Sequence, residues 1–169
     1  MRLSLRPYQR EAISAVLTAR KEGLKRLLIT LPTGAGKTVI FSELCRLAQR
    51  PVLVLAHREE LLQQASLKIT QMTEGIANVG VEQGDTYAAG DSTVVVASIR
   101  SLRSTRLSGL MNRFDFGLII YDECHHAAAE DNARVLRELG VFEHQWKGPL
   151  GGFTATTSRA DGLGLDTIF

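Results

Sequence analysis

The sequence predicts an α/β domain with three layers, in which helices cover both faces of a mainly parallel β-sheet. Short, nearly continuous runs of leucine, isoleucine and valine alternate with longer amphipathic stretches along the 169 residues. The short runs are typical of strands buried on both faces, and the longer stretches are typical of the helices that cover them. The length suits one domain with a sizeable core.

Apolar runs mark the strands, and apolar residues spaced three and four apart mark the helices. The best strand candidates are residues 26–30, 51–56, 93–98, 116–121 and 150–154, with a weaker one at 78–83. Three helices follow from one apolar face each: Ala12, Ile13, Val16 and Leu17 in the first, Val39, Ile40, Leu44 and Leu47 in the second, and Leu61, Leu62, Ala65 and Ile69 in the third.

Composition narrows the function classes. Twenty lysines and arginines stand against 18 aspartates and glutamates, a formal charge of +2. This even balance excludes binding of a polyanion through bulk charge, so any nucleic-acid contact needs locally positioned groups. The two cysteines, Cys45 and Cys124, form no disulfide framework and indicate a reducing compartment. No run of eighteen apolar residues and no secretory signal is visible, so we expect no membrane partner.

A glycine-rich loop follows the first strand candidate and precedes the second helix. Its sequence is LPTGAGKT, residues 31–38. Gly34 and Gly36 allow the backbone to curl so that several N–H groups point at phosphate oxygens, and the following helix adds its positive end. Lys37 would reach the β- and γ-phosphates, and the Thr38 hydroxyl would bind Mg²⁺. The alternative is a glycine turn with a solvated lysine.

Two adjacent acids, Asp122 and Glu123, follow the apolar run at residues 118–121. Burying two carboxylates is costly without a cation, which favours Asp122 as part of the Mg²⁺ shell. Glu123 would then orient and deprotonate the attacking water. A solvated acidic turn is one alternative. Zinc is another, since Cys124, His125 and His126 come next, but consecutive residues rarely converge on one tetrahedral centre.

Together, LPTGAGKT and DECH (residues 122–125) resemble motifs I and II of superfamily 2 helicases and translocases of the DExH type. The subgroup that the chain resembles contains type III restriction-subunit motors and XPB-like repair helicases. The resemblance implies a RecA-like P-loop NTPase domain that spans residues 1–169 and binds ATP with Mg²⁺. The catalytic residues would be Lys37, Asp122 and Glu123, and the metal ligands Thr38 and Asp122.

The segment LRPYQREAI, residues 5–13, resembles the adenine-reading motif of this superfamily. The resemblance implies that Gln9 bonds the adenine edge and that Arg6 or Tyr8 packs near the base. The whole cofactor-binding set is then Arg6, Gln9, Pro32, Thr33, Gly34, Ala35, Gly36, Lys37 and Thr38. FTATTSRADG, residues 153–162, resembles motif III, so Thr154 and Thr156, with His125, would couple the ATP site to the nucleic-acid face.

LVLAHREELLQQA, residues 53–65, resembles motif Ia, in which Arg58 would contact the nucleic-acid backbone. VVVASIRSL, residues 94–102, is similar to the next contacting segment, with Ser98 at its hinge. Arg100, Arg103 and Arg106 recur every third residue, so on one helical turn they would share a face and contact successive phosphates. A solvated basic face is the alternative. No aromatic residue interleaves with these arginines, so base stacking is not evident.

The family resemblance also implies a partner. Its members carry a second RecA-like domain that supplies arginine fingers, and this chain has no such domain, so we expect a fragment of a longer protein. The leading hypothesis is the ATP-binding domain of a DNA helicase or translocase, cytoplasmic or nucleoid-associated, which hydrolyses ATP poorly alone. A nucleotide-dependent regulatory module without turnover is the second hypothesis, and a small-molecule kinase that shares only the P-loop is the third.

Overall fold

The computed structural model describes residues 4–32, 34–124, 130–146 and 148–155, which form a parallel β-sheet between two layers of helices. The strands are β1 Arg26–Thr30, β2 Val52–Ala56, β3 Val79–Glu82, β4 Val94–Ser98, β5 Leu118–Asp122 and β6 Leu150–Thr154. Their order across the sheet is β1-β6-β5-β2-β4-β3, and each pairing is parallel. The predicted parallel sheet is confirmed.

The helices lie on both faces of this sheet. They are α1 Pro7–Lys21, α2 Lys37–Leu47, α3 Glu59–Met72, α4 Ser104–Arg113 and α5 Glu130–Glu138, and a short 3-10 helix at Ile99–Ser101 follows β4. Apolar residues of α1, α2 and α3 share one buried cluster, and those of α4 and α5 share another. The three predicted layers are therefore present.

Alternation along the central strand β2 fills both clusters. Val52 and Val54 join the cluster under α1, α2 and α3, whereas Leu53 and Leu55 join the one under α4 and α5. All four side chains are fully buried. Each such side chain contributes roughly 1.5–3 kcal/mol relative to an exposed one, so a strand that is apolar at every position is stabilised from both sides.

Some predicted boundaries and faces were wrong. Four strands begin one or two residues later than predicted, and β5 continues to Asp122, which pairs with Phe153 of β6. Leu17 and Leu47, predicted to be core residues, are 37% and 40% exposed. Both line a groove between α1 and α2 near the amino ends of the strands.

Because the sheet is parallel, the segments that follow its strands lie along one edge, here called the carboxyl edge. Along this edge, the segments are arranged in the order of the strands that precede them in the chain, which is β1, β6, β5, β2 and β4. The glycine-rich loop, the acid pair and Arg58 therefore lie on the same side of the domain. None of the helices in the described ranges combines the length and the hydrophobicity that a membrane crossing requires.

Candidate functional site

The loop between β1 and α2 is held in its turn by two glycines. Gly34 and Gly36 have φ angles of +81° and +79°, which residues with a side chain rarely adopt. A Cβ on Gly36 would also lie 2.8 Å from Gln9 Nε2. Gly36 precedes α2, so the first N–H groups of that helix lack partners within it and can bind an anion. Thr33, part of the predicted cofactor set, lies outside the described residues.

Lys37, the first residue of α2, contacts both members of the acid pair. Its Nζ lies 2.7 Å from Glu123 Oε1 and 3.5 Å from Asp122 Oδ1. The three side chains are only 14–33% exposed. β1 and β5 flank β6, so the ends of these two strands bring together residues 86 positions apart in sequence. The predicted meeting of the lysine and the acid pair is confirmed as geometry.

Burial and charge perturb this cluster in ways that can be separated. Burial lowers the pKa of Lys37, but the hydrogen bond to Glu123 and the charge of Asp122 outweigh it, so the pKa is raised above 10.5. Burial raises the pKa of Asp122 above 3.8, and the nearby ammonium of Lys37 only partly offsets this. Among the described contacts, the Lys37 ammonium is the cation that these two carboxylates share.

Glu123 has an unusual backbone conformation that aims it at the lysine. Its φ is +54°, in the left-handed region where residues other than glycine are uncommon. Its N–H donates to Asp122 Oδ1 at 3.0 Å. This tight turn directly after β5 places both carboxylates beside the same ammonium. Such strain costs on the order of 1–3 kcal/mol and is found most often at functional sites.

The start of α1 is tied to the glycine-rich loop. Tyr8 donates its hydroxyl hydrogen bond to the Ala35 carbonyl, and Gln9 Nε2 donates to the same oxygen at 3.2 Å. Gln9 Oε1 accepts from the Arg6 N–H at 2.9 Å, and the Gln9 side chain is 5% exposed. Gln9 therefore holds the loop in this structure, and its adenine contact stays a prediction. Sequence reasoning missed the Tyr8 contact, since nothing local signals a partner 27 residues away.

The other predicted nucleotide-site residues lie near this cluster. Thr38 is the second residue of α2 and is half-buried. Thr154 ends β6, is fully buried, and accepts the Leu31 N–H through its carbonyl at 3.0 Å. Thr154 thus connects the end of β6 to the start of the glycine-rich loop. His125 and Thr156, predicted to couple the two faces, lie outside the described residues.

The predicted nucleic-acid residues follow β2 and β4, which are neighbouring strands. Arg58 precedes α3, Arg100 lies in the 3-10 helix and Arg103 precedes α4, and all three are exposed. Ser98 differs, because it is only 1% exposed. A hydroxyl in that position does not reach a ligand at the surface, so the structure argues against a direct contact by its side chain.

The prediction that Arg100, Arg103 and Arg106 share one helical face was wrong. The 3-10 helix ends at Ser101 and α4 begins at Ser104, so the three residues lie on different elements. The side chain of Arg106 is 14% exposed and its Nε donates to Glu82 at 2.9 Å. Arg106 turns inward because a buried carboxylate attracts its guanidinium more strongly than water does.

The zinc alternative gains no support from the described residues. They contain no group of three histidine, cysteine or acidic side chains able to hold a metal. Cys124 is fully buried, and burial raises the pKa of its thiol to about 12. Cys45 behaves likewise, and neither cysteine forms a disulfide. His125 and His126 lie outside the described residues.

Comparison with known proteins gives one family. The chain matches, over residues 2–159, the profile of the family described as type III restriction enzyme, res subunit. It is 40% identical over 169 aligned residues to irc3 of Schizosaccharomyces pombe, named as a mitochondrial ATP-dependent helicase; the match covers 96% of the chain and 28% of that protein. It is 31% identical over 166 residues to the DNA 3'-5' translocase XPB2 of Sulfurisphaera tokodaii, covering 95% and 33%. The chain thus spans a third or less of each relative.

Solved structures show the same fold. The Hef helicase domain of Pyrococcus furiosus superposes with a TM-score of 0.65 at 27% identity, covering 92% of this chain and 34% of that one. The UvsW helicase of bacteriophage T4 gives a TM-score of 0.68 at 21% identity, covering 95% and 55%. The six-stranded parallel sheet is therefore that of RecA-like helicase domains.

Proposed function

The chain belongs to the type III restriction enzyme res subunit family, and from this premise we propose that it is the ATP-binding domain of a nucleic-acid helicase or translocase. The observation that supports the proposal most strongly is the contact of Lys37 with Asp122 and Glu123 at the carboxyl edge. A lysine at the start of a helix, preceded by two left-handed glycines, is the arrangement that binds a triphosphate.

The residues present fit both ATP and Mg²⁺. The glycine-rich loop and the Lys37 ammonium offer positive groups for phosphate oxygens. The Thr38 hydroxyl and the Asp122 carboxylate are oxygen donors, which Mg²⁺ prefers. Pro32, Gly34, Ala35 and Gly36 would form the cradle with Thr33, and Arg6 and Gln9 would lie on the base side.

The protein's own groups have separable tasks in hydrolysis. Mg-ATP supplies the phosphoryl group and the cation that screens its charge. Lys37 exchanges its acid partners for phosphate oxygens, so the Glu123 carboxylate is no longer held by this lysine. Glu123 then orients a water molecule and accepts its proton. Tyr8 and Gln9 keep Ala35, and with it the loop, in place during this exchange.

The proposed partners are a nucleic acid and a second RecA-like domain. Arg58, Arg100 and Arg103 would contact the backbone of a strand, and Thr154 would pass the state of the ATP site to that surface. We favour DNA over RNA as the substrate because one relative is named as a DNA translocase. The second domain would supply an arginine to the transition state, worth a factor of about 10³–10⁵ in rate, so the isolated chain should hydrolyse ATP slowly. A cytoplasmic or nucleoid-associated setting is part of the proposal.

Hydrolysis stimulated by DNA tests this function. The chain is combined with a second RecA-like domain of the family and single-stranded DNA, and phosphate release is compared between the wild type and Glu123→Gln. We expect DNA to stimulate the wild type, and Glu123→Gln to lose about 10²–10⁴-fold in rate while it still binds ATP, because only proton acceptance is removed. Nucleotide binding without hydrolysis at any DNA concentration would instead support a regulatory module.

A further inference from the structure

Among the described residues outside the proposed nucleotide site, Glu82 is an acid that is completely buried. Glu82 ends the edge strand β3 and has no exposed side-chain surface. It accepts hydrogen bonds from Arg106 Nε at 2.9 Å, from the Arg113 guanidinium, and from the Ala88 N–H at 2.9 Å. Both arginines belong to α4, so Glu82 fastens the loop between β3 and β4 to that helix.

The same loop is held at several further points. Gln83 and Thr86 exchange backbone hydrogen bonds at 3.0 and 2.8 Å. The Gly84 N–H donates to Ser101 Oγ at 3.1 Å, and Arg106 donates to the carbonyls of Gly84 and Thr86. An exposed loop with this many contacts has already lost its conformational freedom on folding, so a ligand that binds it loses little more.

The loop presents an aromatic ring beside an arginine. Tyr87 is 63% exposed, and the Arg106 guanidinium carbon lies 4.2 Å from the ring centroid. Arg106 cannot turn away, since Glu82 and two carbonyls bind it. The fold thus combines an aromatic ring with the arginines that follow β4, a juxtaposition that sequence spacing did not show.

An open pocket lies between this ring and α4. Its volume is about 650 Å³, and it is lined by Tyr87, Ser101, Arg103, Thr105, Arg106 and Arg113, among others. Three arginines and no acid are among the described residues that line it; Asp85 belongs to the same loop but is not one of them. Volumes of about 300–1,000 Å³ are typical of small-ligand sites, and a nucleotide fits within that range.

We propose that this pocket binds one nucleotide of a single-stranded nucleic acid, with the base stacked on the face of the Tyr87 ring that Arg106 leaves open and the phosphate held by Arg103. The proposal deepens the proposed function, because it extends the surface of Arg58 and Arg100 toward the β3 edge of the sheet. An aromatic ring stacks on any base, and an arginine binds any backbone phosphate. The pocket therefore strengthens binding without selecting a sequence.

Oligonucleotide binding at low salt tests the stacking. Tyr87→Ala is compared with the control variant Phe142→Ala. Phe142 is also an exposed aromatic residue beside an arginine, but it lies near the amino end of β1, where its ring centroid is 5.4 Å from the Arg26 guanidinium carbon. We expect Tyr87→Ala to weaken binding of oligo-dT or oligo-U roughly tenfold, and Phe142→Ala to change it less than about twofold. For an abasic strand of equal charge, Tyr87→Ala should have no effect.

The phosphate contact has its own test. Arg103→Ala should weaken binding of both the base-bearing and the abasic strand and should reduce the salt dependence of binding by about one phosphate contact. The control is Arg20→Ala, which replaces an exposed arginine near the carboxyl end of α1 and should change neither quantity. Wild-type binding that Tyr87→Ala leaves unchanged, with melting temperatures equal, would refute the pocket and leave the proposed function standing. A wild type that binds no strand would overturn both.

Discussion

Two charged clusters at the carboxyl edge look alike in composition and differ in what they can do. In the first, Lys37 faces Asp122 and Glu123, and all three side chains keep 14–33% of their surface exposed. In the second, Glu82 faces Arg106 and Arg113 and is fully buried. Among the described contacts, two acids share one cation in the first cluster and two cations share one acid in the second. The acid of the second cluster is closed to solvent, whereas the first cluster is partly exposed and can exchange its contacts for a ligand.

The pKa shifts of the two acids make the same distinction. Burial raises the pKa of both carboxyls. For Glu82 the hydrogen bonds from Arg113, Ala88 and Arg106 outweigh burial, so its pKa lies below 4.5. For Asp122 the nearby charge of Lys37 does not outweigh burial, so the pKa of Asp122 lies above 3.8. An acid that the fold stabilises in its ionised form is structural, and one that the fold leaves under-compensated marks a candidate site.

The largest stability effect is expected in the second cluster. Glu82→Ala removes the acceptor of two arginines and of the Ala88 N–H, so we expect the free energy of unfolding to fall by about 2–3 kcal/mol. This loss of stability is at or below the low end expected for a broken buried ion pair, because Arg113 is 35% exposed and can regain water. Urea unfolding followed by circular dichroism measures the change.

That loss should depend on pH. Because the folded pKa of Glu82 is lowered, its stabilisation is present above the unfolded value of about 4.5 and is lost as pH falls through the folded pKa. The wild type and Glu82→Ala should therefore converge in stability in acid. Mg-ATP affinity should be the same for both at neutral pH. A Glu82→Ala variant that unfolds like the wild type at pH 7 would show that this cluster is not structural.

A smaller effect of opposite sign is expected at Asp122. Its pKa is raised, so its favourable contribution is present below the unfolded value of 3.8 and is lost as pH rises through the folded pKa. At pH 7 the ionised carboxylate destabilises the fold without ligand. Asp122→Asn should raise the free energy of unfolding by up to about 1 kcal/mol and weaken Mg²⁺-dependent nucleotide binding.

Thermal melting of the wild type and of Asp122→Asn, with and without Mg-ATP, tests both effects. The variant should melt higher than the wild type without nucleotide and should gain less from its addition. Asp122→Asn that melts lower than the wild type in both conditions would mean that the carboxylate is stabilising. The distinction between the two clusters would then fail.

Much of the fold and of the proposed nucleotide site could be predicted from local sequence. Buried strands of a parallel sheet are apolar at every position, so β1 and β6 were placed at their observed bounds. Polar residues directly after such strands must lie at one edge, which is why Lys37 and the acid pair could be expected to meet. Both inferences use only the direction of the chain and the burial of its strands, and a short stretch of sequence is enough to indicate both.

The rest depended on contacts between distant segments. The three-residue spacing of Arg100, Arg103 and Arg106 suggested one face, but the partner of Arg106 is 24 residues away on β3. The approach of Tyr87 to that arginine likewise requires the β3–β4 loop to fold back. Gln9 shows the same limit, since its contact with Ala35 spans 26 residues. Local patterns identify which side chains are polar, and tertiary packing decides what they bind.

We propose that the Lys37 cluster, unlike the Glu82 cluster, exchanges its internal partners for a triphosphate. Calorimetric titration of Mg-ATP into the wild type, Lys37→Ala and the exposed-lysine control Lys25→Ala tests it most directly. We predict saturable binding to the wild type and to Lys25→Ala, and a loss of at least about a hundredfold in affinity for Lys37→Ala, because a buried charge-assisted contact is removed. Equal affinity in all three proteins would contradict the account.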